Sequence, residues 1–245
     1  MNGNDNIVGQ ALTWLNDPLN WQGPNGIPVR TLEHLTMSAL AVLLATLVAL
    51  PLGIWLGHRG RGGALTVVVA NTSRALPTFA LLLIFASTAI GIGNRPVVLA
   101  AAIFAIPVIL TNTYAGLRDV DPDVRDAARG MGMSGRRSLA LVEIPLALPL
   151  IGAGLRTAVV QVIATVPLAA LVGGGGLGAY IVTGLATRRF GEVLAGGVLV
   201  AGLCLIAEAA LAGTQHLLTP RPMRHVRTPR RQRSASAPAA KDSTR

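Results

Sequence analysis

The sequence predicts an all-α integral membrane protein with about five transmembrane helices, or six. Three observations predict it. Of the 245 residues, 51% are hydrophobic and only 13% charged, against about 25% charged in an ordinary soluble domain, and mean hydropathy is +0.56. Apolar runs recur along the chain, each close to the roughly 20 residues needed to cross hydrocarbon. Between two of them lies a polar island, residues 118–143, that lipid cannot accommodate.

In chain order, residues 1–30 are polar and rich in Asn, Gly and Pro. They lack the basic start and short apolar core of a cleavable signal peptide. Trp14 and Trp21 suit either a membrane interface or a small hydrophobic cluster under a loop. The first span covers residues 32–57, with Pro51 and Gly53 inside it, and a short basic loop over residues 58–63 follows. Residues 64–92 form a second apolar segment, interrupted by Asn71-Thr72-Ser73-Arg74 and Pro77. They read as a short leading helix and then a span. Arg74 either lines a pathway or snorkels to the headgroups. The third span is 97–116.

The island reads as two short helices. Asp121 is an N-cap with Pro122 at the first helical position and Asp123 beside it. Val124, Ala127, Ala128 and Met131 recur at helical spacing and make one small apolar face. Gly130 and Gly132 end that helix, and Ser134 caps the next. The fourth span, 146–172, carries Arg156, Gln161 and Pro167. A glycine run over residues 173–178 serves close backbone packing or a hinge. Residues 179–192 read as a re-entrant or interfacial piece. The fifth span, 193–217, contains Glu208, which acts as a relay or cation contact or pairs with Arg156. The domains are therefore an extracytoplasmic segment 1–30, a transmembrane domain 31–218 with a polar loop at 117–145, and a disordered basic tail 219–245.

Five spans put the termini on opposite sides. Arg59, Arg61, Arg118, Arg125, Arg129, Arg136, Arg137 and the tail fall on one side, and Arg30, Arg95, Arg188 and Arg189 on the other. The positive-inside rule places the island and tail in the cytoplasm and the N-terminus outside; Arg188-Arg189 is discordant. The net charge of +10 reflects this topology rather than nucleic acid. The basic tail suits anionic membrane lipid.

Much chemistry is excluded. Gly173 to Gly178 fits G-x-G-x-x-G, but it follows a span rather than a strand. Ala179 and Tyr180 stand where a phosphate-binding loop needs Lys and Ser/Thr, so ATP is not bound by that route. His34, His58, His216 and His225 are isolated and the one cysteine, Cys204, has no partner, so no metal site is expected. Ser73 and Ser134 have no evident base partner.

Asp126-Ala127-Ala128, Gly132 and Val142-Glu143-Ile144-Pro145 resemble the E-A-A-x3-G-x9-I-x-L-P loop of binding-protein-dependent ABC importer permeases, with Asp for Glu, Val for Ile and Ile for Leu. Residues 112–117, 120–122, 127–133, 145–149, 154–158 and 175–178, with 20–24, resemble the glycine betaine/carnitine/choline/proline class. That resemblance implies a fold like type I ABC importer permeases, with the island as a cytoplasmic coupling-helix loop. It implies an ABC ATPase subunit that binds the ATP, an extracytoplasmic substrate-binding protein, a second permease copy or sister permease, and no cofactor or catalytic residue on this chain. Asp126, Ala127, Ala128, Gly132, Val142, Ile144 and Pro145 would form the ATPase-coupling loop, with Arg125 and Arg129 pairing acidic partner groups. Asn112, Tyr114, Gln161 and Thr165 are candidates for a polar translocation path or for ordinary interhelical hydrogen bonding. A quaternary ammonium is best held by an aromatic cage. The scattered aromatics here, 4% of residues, place selectivity on the external protein. The rival readings are a methionine-type or other amino-acid ABC permease and an ion-coupled secondary transporter.

Overall fold

The structure, a computed structural model, describes residues 6–60, 63, 68 and 78–218. Among the described residues, four helices are long and apolar enough to cross a membrane: Ile27–Arg59, Asn94–Arg118, Gly135–Val172 and Phe190–Gln215. We name the helices α1 (Ile7–Asn16), α2 (Ile27–Arg59), α3 (Thr78–Ala86), α4 (Asn94–Arg118), α5 (Pro122–Gly130), α6 (Gly135–Ser138), α7 (Ile144–Thr165), α8 (Gly178–Ala186) and α9 (Phe190–Leu218). Most of the predicted second span, with Arg74, lies outside the described residues, as does the tail; α3 is the described part of that span.

The core lies where α4 packs between α2 and α7. Ala41, Ala45 and Ala49 recur every fourth residue on α2 and are completely buried, as are Ala101, Ala105 and Ile109 on α4. Small residues let the two backbones approach. A Cβ added at Gly53 would lie 2.7 Å from Thr113 Cβ, and one at Gly57 would lie 2.7 Å from Leu117 Cβ. The same device joins α4 to α7, where Gly154 receives the Asn112 side chain and Gly116 faces Leu150.

Residues 1–30 contain a helix that the composition did not announce: α1 docks on α9, with Gly191 against Gln10 and Ala11. Trp14 meets Tyr180 edge-on at 4.9 Å, so it serves a local cluster, whereas Trp21 is half exposed and donates to the Leu15 carbonyl at 2.7 Å. Two expectations are corrected. First, the island is not followed by a fresh span. α6 runs through a π-helical turn, Leu139–Glu143, directly into α7. Pro145 has no N–H for the carbonyl four residues back. The ladder shifts to an i→i−5 bond, Ile144 N–H to Leu139 O, and the helix continues where a break is expected. Second, α9 starts at Phe190 rather than 193, and residues 179–192 hold α8 and a turn, with Arg188 at φ 56.

Among the described spans, α2, α4 and α9 run one way and α7 the other, so the bundle has two ends. His58, Gly60, Arg118 and the island meet at one: Gly60 faces the Arg118 guanidinium and His58 bonds Glu143. Arg30, Asn94 and the glycine run meet at the other.

Candidate functional site

The island is a short amphipathic helix held at both termini. The Asp121 carboxylate accepts from Asp123 N–H at 2.9 Å, and Pro122 follows it. At the C-terminus, Met133 N–H donates to Ala128 O at 3.1 Å and Gly132 N–H to Arg129 O at 2.8 Å. That is a Schellman pair, and it requires Gly132 to sit at φ +80, a left-handed conformation that costs a side-chain-bearing residue about 1–2 kcal/mol. The expected Ser134 cap exists by position but makes no side-chain hydrogen bond.

The apolar face of α5 divides in two. Ala128 is 1% exposed and pins the helix inward. Val124, Ala127 and Met131, one turn apart, are exposed, Met131 by 71%. This leaves an apolar ridge bordered by the exposed ion pair Arg129–Asp126, 3.2 Å. Val142, Ile144 and Pro145 are half buried in the π turn and the start of α7.

Arg125 and Arg129 diverge. Arg129 stays at the surface. Arg125 turns inward, to 13% side-chain exposure, donates to the Leu117 carbonyl at the end of α4, and lies 3.7 Å from Glu143. Within this chain, then, Arg125 is engaged with Glu143 and Leu117 while Arg129 stays outward. Glu143, 3% exposed, also accepts from His58 Nδ1 at 3.0 Å and Ser138 Oγ at 3.3 Å. A carboxylate only accepts, so the imidazole carries its hydrogen on Nδ1. Sequence reasoning missed Glu143 and His58 as a pair, because 85 residues separate them. Their one sequence signal was a charged residue inside an apolar motif.

The candidate path residues do not converge. Asn112 donates to Val108 O at 2.8 Å and fills the notch at Gly154. Gln161 lies seven residues further along α7, about 10 Å by helical rise; its Oε1 is buried without a hydrogen-bond partner. Thr165 donates to Gln161 O at 2.7 Å, and the Tyr114 hydroxyl reaches toward Gly63. Glu208 pairs with Arg156 at 3.3 Å.

At the opposite end the glycine run is threaded between two spans. Gly175 N–H donates to Asn94 Oδ1 at 2.7 Å, and Gly176 N–H, at φ +82, donates to Glu33 Oε2 at 2.9 Å. Arg30 holds Glu33 at 2.9 Å and Asn25 at 2.6 Å. Tyr180 donates to Asn25 O at 2.7 Å. Burial, with Glu192 and Glu33 nearby and Arg30 opposing them, pushes the Tyr180 hydroxyl up to about 12. A cleft of about 540 Å³ opens here, lined by Arg30, Glu33, Asn94, Arg95 and the glycines.

This arrangement of spans with one polar helical loop has known counterparts. The family described as binding-protein-dependent transport system inner membrane component matches residues 49–220. The chain belongs to that family. It is a multi-pass membrane protein. The carnitine transport permease protein OpuCB of Listeria monocytogenes is 37% identical over 199 residues, covering 81% of this chain and 91% of that protein. The choline transport system permease protein OpuBB of Bacillus subtilis (strain 168) is 37% identical over 134 residues, 55% of this chain and 61% of that one. The osmoprotectant import permease protein OsmW of Salmonella typhimurium is 40% identical over 138 residues, 54% and 63%. The chain thus spans less than two thirds of OpuBB and OsmW. Among solved structures, a chain of the inward-facing MetNI methionine ABC transporter superposes with TM-score 0.70 at 20% identity, covering 84% of this chain and all of that one. A chain of an amino acid ABC transporter with histidines gives 0.62 at 17%, covering 85% and 96%. At such identities these two establish the fold alone.

Proposed function

We propose that this chain is the transmembrane subunit of an ABC importer that moves osmoprotectants (glycine betaine, choline, carnitine or proline) into the cell, driven by ATP hydrolysis on a separate subunit. The observation that carries it is the 37% identity to a carnitine transport permease over 91% of that protein. The island end faces the cytoplasm. The ridge of Val124, Ala127 and Met131 seats in a cleft of the ATPase, as an amphipathic helix lays its apolar face into a groove. Asp126, Ala127, Ala128 and Gly132 shape that contact: small residues permit close docking and the glycine permits the turn. Val142, Ile144 and Pro145 begin the span that receives the motion. The N-terminus and glycine run face outside, toward a substrate-binding protein, and a second permease copy or a sister permease completes the pathway. ATP belongs to the partner, and the chain itself carries no cofactor.

Reconstitution with an ATPase and a binding protein tests the reading. Labelled glycine betaine is expected to accumulate only with ATP, and methionine is not. Methionine uptake without betaine uptake would transfer the chain to the amino-acid class. Gly132→Asp is expected to abolish coupling while the spans stay folded, and full ATPase docking by that variant counts against the loop assignment.

A further inference from the structure

The coupling helix has almost no hydrophobic grip on the spans it is to move. Ala128 is its one buried residue. What ties it down is polar, and centres on Glu143. That carboxylate is buried beside the most charged stretch between spans, and its contacts come from three other elements: His58 from the end of α2, Arg125 from α5 and Ser138 from α6. Arg125 extends the network to a further element by donating to Leu117 O at the end of α4. Glu143 itself sits in the π turn that opens into α7, a wider turn of the kind that re-aims side chains at functional sites. One carboxylate therefore joins α5 to the same end of all three core spans.

We propose that Glu143 is the positioning residue that transmits movement of α5 to α2, α4 and α7. The proposal rests on the reading that α5 docks on an ATPase. Its physical basis is that a buried charge tolerates no loss of partners. When α5 shifts, Glu143 cannot release Arg125 or His58 without leaving a desolvated charge unpaired, so the ends of α2 and α4 are drawn with it. The alanine stripe between α2 and α4 then carries the displacement along both helices as one body.

The test uses the complete complex in proteoliposomes, with ATPase, binding protein and labelled glycine betaine, and reads uptake per ATP hydrolysed. In Glu143→Gln the ATPase is expected to copurify and hydrolyse ATP while uptake per ATP falls by about tenfold, within the range by which remote residues modulate coupling. Neutralising both partners, Arg125→Gln with Glu143→Gln, is expected to recover complex yield, because no lone buried charge remains, while uptake per ATP stays low because the link is still missing. A ratio restored to wild type overturns the proposal. A purely structural role would lower complex yield and leave the ratio unchanged. Wild-type uptake per ATP in Glu143→Gln overturns the proposal. If that variant does not insert, His58→Ala, at a half-exposed helix end, decides by the same ratio. A wild-type complex that retains no ATPase and moves no betaine brings down the functional reading and the proposal with it. A coupled wild type with a coupled Glu143→Gln brings down the proposal alone.

Discussion

The two ends of the bundle are both polar, yet they are wired differently. At the glycine-loop end, side chains of the spans accept from backbone: Asn94 from Gly175 N–H and Glu33 from Gly176 N–H. At the island end the hub is a side chain: His58 and Ser138 bond Glu143 and Arg125 lies against it, with Arg125 alone reaching a backbone carbonyl, whereas Arg30 at the other end braces the same Glu33 that holds the loop. The first arrangement fixes a loop in which a Cβ at Gly174, Gly175 or Gly178 would strike a neighbour. The second joins separate helices through groups that can turn about their own torsions. The difference teaches that polar burial here ties a loop to two spans at one end and one helix to another at the other, which is the arrangement the proposed transmission needs.

Variants can break or sharpen that contrast, and the largest effect belongs to the rigid end. A Cβ at Gly178 would strike the Pro167 backbone, which cannot yield. Gly178→Val should destabilise by about 3 kcal/mol, seen as loss of monodisperse protein in detergent. Glu33→Ala strips the acceptor from Gly176 N–H and should cost about 1–3 kcal/mol, read as a lower melting temperature with coupling ratio intact; a changed ratio would erase the distinction between the ends. Gly132→Ala should cost about 1 kcal/mol through its left-handed backbone, again by thermal melt.

Tyr180 offers a pH probe. Its hydroxyl is raised from 10.0 to about 12. A group whose folded value is raised contributes stability that is whole below its unfolded value and lost as pH climbs through the folded one. Melting temperature should therefore fall between about pH 10 and pH 12, and that step should be absent in Tyr180→Phe. The smallest effect on stability falls on the ridge: Met131→Ala should change it by no more than about 0.5 kcal/mol, while weakening ATPase retention on an affinity column. Retention equal to wild type would remove the ridge from the contact.

Much of this was legible in the chain. The apolar runs located the four long helices to within a few residues, except that Pro145 hid the continuity of α6 with α7. A proline marks a lost hydrogen bond, and sequence does not say whether a π turn absorbs it. The motif around Asp126 and Gly132 led to the family. The Asp121 cap and the Gly132 turn were readable because capping is decided within a few residues. Arg125 was not, because its inward turn depends on a carboxylate 18 positions later and on a carbonyl at the end of another helix. The four candidate path residues were grouped by polarity alone, and the packing of α4 on α7 separates them.

The order of apolar and polar segments alone determined that this is a helical membrane protein with a polar island at 118–143, because unbroken apolar runs of about 20 residues have the length of spanning helices, which satisfy their own backbone hydrogen bonds in lipid. Only the tertiary structure decided that the glycine run is a threaded strap, that Trp14 and Tyr180 close a cluster under α1, and that Glu143 meets His58. Those pairings join residues far apart in the chain through a few ångströms of space. Nothing local in the sequence carries that distance, since it is set by how the alanine and glycine notches let the spans approach.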